Sequence, residues 1–81
     1  MGNKVLVCWH DARLFPDIYS EDEACNLKMQ KFESIGYLLF KDSTTTILAF
    51  EHNNERQYRD IILIPSGSIS SIQELSLSSF V

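Results

Sequence analysis

Apolar and polar positions along the chain fall into short runs of β type. Lys4-Val-Leu-Val-Cys-Trp9 is rich in β-branched and aromatic residues, and its alternation puts Val5 and Val7 on one face with Leu6 and Cys8 on the other. Residues 29–41 read as a long extended strand interrupted by Gly36. A glycine inside a strand pattern marks a bend where another backbone comes close. Thr44 to Phe50 (TTTILAF) is a third strand. In Asp60-Ile-Ile-Leu-Ile-Pro65 four consecutive aliphatics lose the alternation, which predicts a strand buried on both faces. Pro65-Ser66-Gly67 is then a sharp corner, since proline has no N–H for another rung and glycine takes tight-turn angles. Ile69, Ile72 and Leu75 define a fifth strand. The tail Ser76 to Val81 alternates weakly and reads as an extension of that strand or as a segment that pairs with a neighbouring subunit.

The connections are equally legible. Pro16-Asp17 marks a loop, and Ser20-Glu-Asp-Glu23 is a capping box with three acids at a positive helix start. Tyr19 and Ala24 stand where a hydrophobic staple would. A short helix is predicted from Glu21 to Lys28. Lys41-Asp42-Ser43 is a turn, and Glu51 to Gln57 is a polar hairpin tip in which Asn53-Asn54 supplies left-handed angles. Five strands, a helix after the first and a short turn between the last two describe a mainly β fold. The arrangement predicts one domain over residues 1–81, a small, strongly bent five-stranded barrel of the SH3-like or Sm-like kind. An OB-fold would place its helix between the third and fourth strands.

Charge narrows the function. The net charge is -4, and the seven basic residues (Lys4, Arg13, Lys28, Lys31, Lys41, Arg56, Arg59) are scattered. Binding to a phosphate backbone needs clustered Lys and Arg, so nucleic acid is not the expected partner of a single copy. Cys8 and Cys25 have no metal-ligand spacing and no disulfide framework, and they read as two small buried hydrophobes in a reducing compartment. No signal-peptide core opens the chain and no apolar run reaches membrane-spanning length. A cytoplasmic protein is expected.

Catalytic patterns are weak throughout. His10-Asp11 could serve a metal or a general base, but the second histidine, His52, lies on a distant hairpin tip. A solvated His10, with Asp11 bonded to the backbone of the loop, is the simpler reading. The many serines occupy no Gly-x-Ser-x-Gly elbow, and glycines at 2, 36 and 67 cannot form a phosphate loop. Nothing in the pattern asks for a cofactor or a metal, and no enzyme is expected. Phe32, Phe40 and Phe50 read as core. Trp9, Asp11, Tyr37, Tyr58 and Arg59 are the candidates for a binding surface, although Trp9 and Tyr37 read first as core, and Tyr58-Arg59 is the more exposed pair.

The runs Val7-Cys-Trp-His-Asp-Ala12, Ser20-Glu-Asp-Glu-Ala24, Ser34-Ile-Gly-Tyr-Leu38, Ile47-Leu-Ala49 and Ile62-Leu-Ile-Pro65 followed by Ile69, Ile72 and Leu75 resemble a group of short bacterial and phage proteins. The resemblance spans about Val5 to Leu75. It implies a shared fold and carries no catalytic residues. Ile64-Pro65-x-x-x-Ile69-x-x-Ile72 is also similar to the last two strands of Sm-like proteins, whose edges pair into rings. The expected function is therefore non-catalytic contact with a protein partner or with further copies of the chain as a homo-oligomer. An Sm-like RNA-binding ring is the alternative.

Overall fold

A computed structural model describes residues 3–76, and the expected role of Leu77 to Val81 lies outside them. Five antiparallel strands form one sheet: β1 (Asn3–Asp11), β2 (Gln30–Lys41), β3 (Thr45–His52), β4 (Tyr58–Pro65) and β5 (Ile69–Glu74). Their order is β4-β3-β2-β1-β5, so β4 and β5 are the two edges. A short helix, α1 (Glu21–Cys25), lies between β1 and β2, and a 3-10 turn at Ser66–Ser68 joins β4 to β5. The corner after Pro65 is where the sequence places it.

The sheet curls around one apolar cluster. Val5, Val7, Leu48 and Ile64 are its buried centre, with Trp9, Leu38, Ile62, Ile69 and Ile72 packed against them. Both edge strands contribute to this cluster, which only a curled sheet allows. No ladder joins β4 to β5 among the described residues, so the sheet is open at that seam.

Gly36 makes the curl possible. A Cβ there would stand 2.8 Å from the backbone oxygen of Ala49, so β3 crosses β2 too closely for any side chain. Gly67 has no such duty. Its missing Cβ would meet nothing within 4 Å, and no glycine among the described residues has a positive φ. The second corner rests instead on Ser66, whose hydroxyl donates to the Asp42 backbone oxygen (2.7 Å) and lies 2.9 Å from the Thr46 hydroxyl.

Several expectations give way. Ile61 to Ile64 are not buried on both faces: β4 is an edge, Ile62 and Ile64 face the core, and Ile61 and Leu63 are 45% and 62% exposed. Phe32, Phe40 and Phe50 are strand residues yet remain partly open to solvent, Phe40 by 49%. Cys8 is half-buried and Cys25 exposed, because Cys8 shares the outward face of β1 and α1 buries no residue. The left-handed residue of the hairpin tip is Arg56 (φ 61), because Asn53 acts through its side chain. The Asn53 amide oxygen accepts from the N–H groups of Glu55 (2.9 Å) and Gln57 (3.0 Å) and shapes the turn by itself.

α1 follows its capping box. The Ser20 hydroxyl accepts from Glu23 N (3.2 Å), and Glu23 Oε1 accepts from Ser20 N (3.3 Å). The helix stops at Cys25, three residues short of Lys28. Asn26 follows as the cap, with its amide donating to the Asp22 carbonyl (2.9 Å). Ala24 is exposed and the Tyr19 ring meets Phe15 edge-on, with centroids 6.3 Å apart.

Candidate functional site

The β3–β4 ladder changes phase along its length. At the Pro65 end, Thr45 pairs with Pro65, which has no N–H, so flanking residues carry the bonds; Ser66 N donates to Thr44 O at 3.0 Å. Bonded positions on β4 at that end are thus even-numbered. At the tip, Asn53 N donates to Gln57 O at 3.1 Å, and the bonded positions are odd. The register is the same on both sides, while Phe50 and Asp60 between them are unpaired. Asp60, with φ 60, is where the strand rolls over.

That roll decides what meets on the surface. Tyr37 pairs with Ala49 on the outward face. Beyond Asp60 the faces exchange, so His52 and Tyr58 join Tyr37 there. The Tyr37 and His52 rings meet edge-on at 4.5 Å, and His52 and Tyr58 lie 6.1 Å apart at a tilt. The Lys4 ammonium sits 5.6 Å from the Tyr37 centroid, within cation–π range. An open depression of about 480 Å³ adjoins the row, lined by Glu51, His52, Asn53, Gln57, Tyr58 and Arg59.

Arg59 is held in a two-pronged ion pair with Glu51, its Nε 2.9 Å from Oε1 and one terminal nitrogen 2.8 Å from Oε2. The bonds from Arg59, and the charge of its guanidinium, hold the Glu51 carboxyl below its ordinary 4.5. Glu51, by bond and by charge, and Asp60, by charge, raise Arg59 in turn. Both groups are exposed, so the pair orders the surface more than it stabilises the fold. Asn53 Nδ2 donates to Gln57 Oε1 at 2.8 Å. These polar groups are engaged with one another, which leaves ring faces and apolar edges for contact.

Of the five surface candidates, Tyr58 joins Tyr37 through the His52 ring and lines the depression together with Arg59. Trp9 and Asp11 stand apart from them. Lys4 pairs with Tyr37 whereas Trp9 pairs with Phe32, a separation of five residues or roughly 17 Å of strand. Trp9 stacks on Phe32 at 5.0 Å and donates from its indole N–H to the Ser34 hydroxyl (3.0 Å) while its ring leans on the core. A second depression of about 280 Å³ opens there, lined by Cys8, His10, Lys31, Glu33 and Ser70 as well as that pair. Asp11 Oδ1 accepts from Ala12 N at 2.9 Å, the local backbone bond that the sequence suggests. No group of three His, Cys, Asp or Glu among the described residues is placed to hold a metal ion. No helix of the described residues is long and apolar enough to cross a membrane.

The outward face holds more than sequence reasoning found. Phe40 pairs with Ile47, and Ile47 with Leu63. Beside this row, Tyr37 pairs with Ala49 and Ala49 with Ile61. The result is an apolar stripe that reaches the open β4 edge. The missed signal was Pro65, because proline within a sheet belongs to an edge. Searches of protein-family models, curated proteins and solved structures find no significant match to this chain.

Proposed function

We propose that this protein is a non-catalytic curled sheet, barrel-like in the SH3-like or Sm-like manner, that works through protein–protein contact and associates with itself. The observation that carries this reading is the edge strand β4, which presents Ile61 and Leu63 to solvent beside Phe40. Apolar side chains next to unpaired backbone form a template for a further strand. The resemblance to short bacterial and phage proteins adds a mobile-element origin to the reading. Sedimentation velocity over a wide concentration range tests it. Mass rising with concentration is expected; a monomer throughout overturns it.

The row Lys4, Tyr37, His52 and Tyr58 favours a second reading, an Sm-like assembly that stacks single-stranded RNA on these rings. The net charge of -4 opposes it. Salt-sensitive retention of a labelled oligonucleotide would support this reading. No retention at low salt removes it.

A further inference from the structure

We infer that the open edge of β4 pairs antiparallel with β4 of a second copy, across a two-fold axis at Ile62. The inference rests on the self-association reading and names its interface. With bonded positions even-numbered on the β3 side, Ile62 and Ile64 spend their backbone groups on β3. The N–H and C=O groups of Ile61 and Leu63 therefore point away from the sheet.

This edge has two ends. Pro65 has no N–H to offer, and the backbone roll at Asp60 (φ 60) leaves the residues before it, Tyr58 and Arg59, out of phase. Between them, only one two-fold register uses every outward group. An axis at Ile61 sets Leu63 against Arg59, across the roll. An axis at Leu63 sets Ile61 against Pro65 and leaves an acceptor without a donor. With the axis at Ile62, Ile61 faces Leu63 of the partner subunit, and each donates once and accepts once.

Side chains agree with the backbone. Opposed residues share a face, so the row Phe40–Ile47–Leu63 continues across the axis into Ile61, Ala49 and Tyr37 of the partner subunit. The other open edge offers a poorer match. On the outward face of β5 stand Ser71 and Gln73, opposite Cys8 and Leu6 of β1. Pairing β4 with β5 of a neighbour would lay Ile61 and Leu63 beside polar side chains. A four-residue edge is also small against the roughly 800 Å² per partner of a standard interface. The dimer is accordingly weak and dissociates on dilution.

Sedimentation of wild type and of Leu63→Asp provides the first test, with Leu14→Asp as the control on an exposed residue of the loop after β1. Leu63→Asp should raise the dissociation constant about tenfold or more, with an unchanged circular dichroism spectrum, and Leu14→Asp should leave it unaltered. The register is read by Ile62→Cys under mild oxidation with copper–phenanthroline. Facing residues in this pair type approach to about 4.5 Å between Cα atoms, within disulfide range. A cross-link mapped by mass spectrometry to position 62 in both chains is expected, and no link between the two positions 61 from Ile61→Cys. Closed oligomers larger than a dimer overturn the two-fold. A dimer that survives Leu63→Asp and fails to cross-link at position 62 overturns this interface while leaving self-association standing. A strict monomer removes both.

Discussion

Gly36 and Gly67 show how two identical residues carry different loads. A methyl group at Gly36 meets the Ala49 carbonyl at 2.8 Å, and backbone cannot step aside as a flexible side chain can. Gly36→Ala should lower unfolding free energy by about 1–3 kcal/mol, whereas Gly67→Ala, in open space without positive φ, should change it by less than about 0.5 kcal/mol. Urea titration of the two variants checks the contrast, and equal effects would mean that the curl is not pinned at Gly36. Asp60 presents the converse case. Valine ordinarily favours a strand, yet a β-branched side chain at φ 60 is strained. Asp60→Val should therefore destabilise by about 1–2 kcal/mol, and a gain in urea midpoint would refute the roll of the strand at that residue.

Among the elements, the β2–β3 turn depends on a titrating side chain. Asp42 Oδ1 accepts from Thr45 N (2.7 Å) and Thr44 N (2.8 Å). These two bonds, Thr45 first, hold its carboxyl below the ordinary 3.8. A depressed folded pKa means a contribution that is complete above the unfolded value and lost as the pH falls through the folded one. The melting temperature of wild type should thus drop more steeply below about pH 4 than that of Asp42→Asn, whose amide oxygen still accepts but does not titrate. Parallel curves would take the turn out of the acid response. The sequence made this turn, the capping box and all five strands legible because each is a local preference written in adjacent residues. It misplaced Ile61 and Leu63 because a run of aliphatics reads alike in a central strand and in an edge. Strand order is a long-range fact, and only Pro65 hinted at it. It likewise missed His52, whose place beside Tyr37 and Tyr58 depends on the roll at Asp60, a backbone event that an aspartate alone does not announce.

At the scale of the whole molecule, every strand has a side chain in the same cluster: Val5, Val7 and Trp9 from β1, Leu38 from β2, Leu48 from β3, Ile62 and Ile64 from β4, and Ile69 and Ile72 from β5. Detaching either edge strands its apolar residues and uncovers the same centre, so the sheet should unfold as a unit although its edges are not joined by a ladder. Trp9 reports on that centre, since its ring stacks on Phe32 and leans on the cluster. Its fluorescence and the far-ultraviolet circular dichroism should trace one coincident transition in urea. Leu48→Ala, at a fully buried position shared by β2 and β4, should shift both signals together by about 2–5 kcal/mol. An early loss of circular dichroism with Trp9 still native would show that β4 peels away alone. In that event the edge would be a loosely attached strand rather than a rigid template for a second copy.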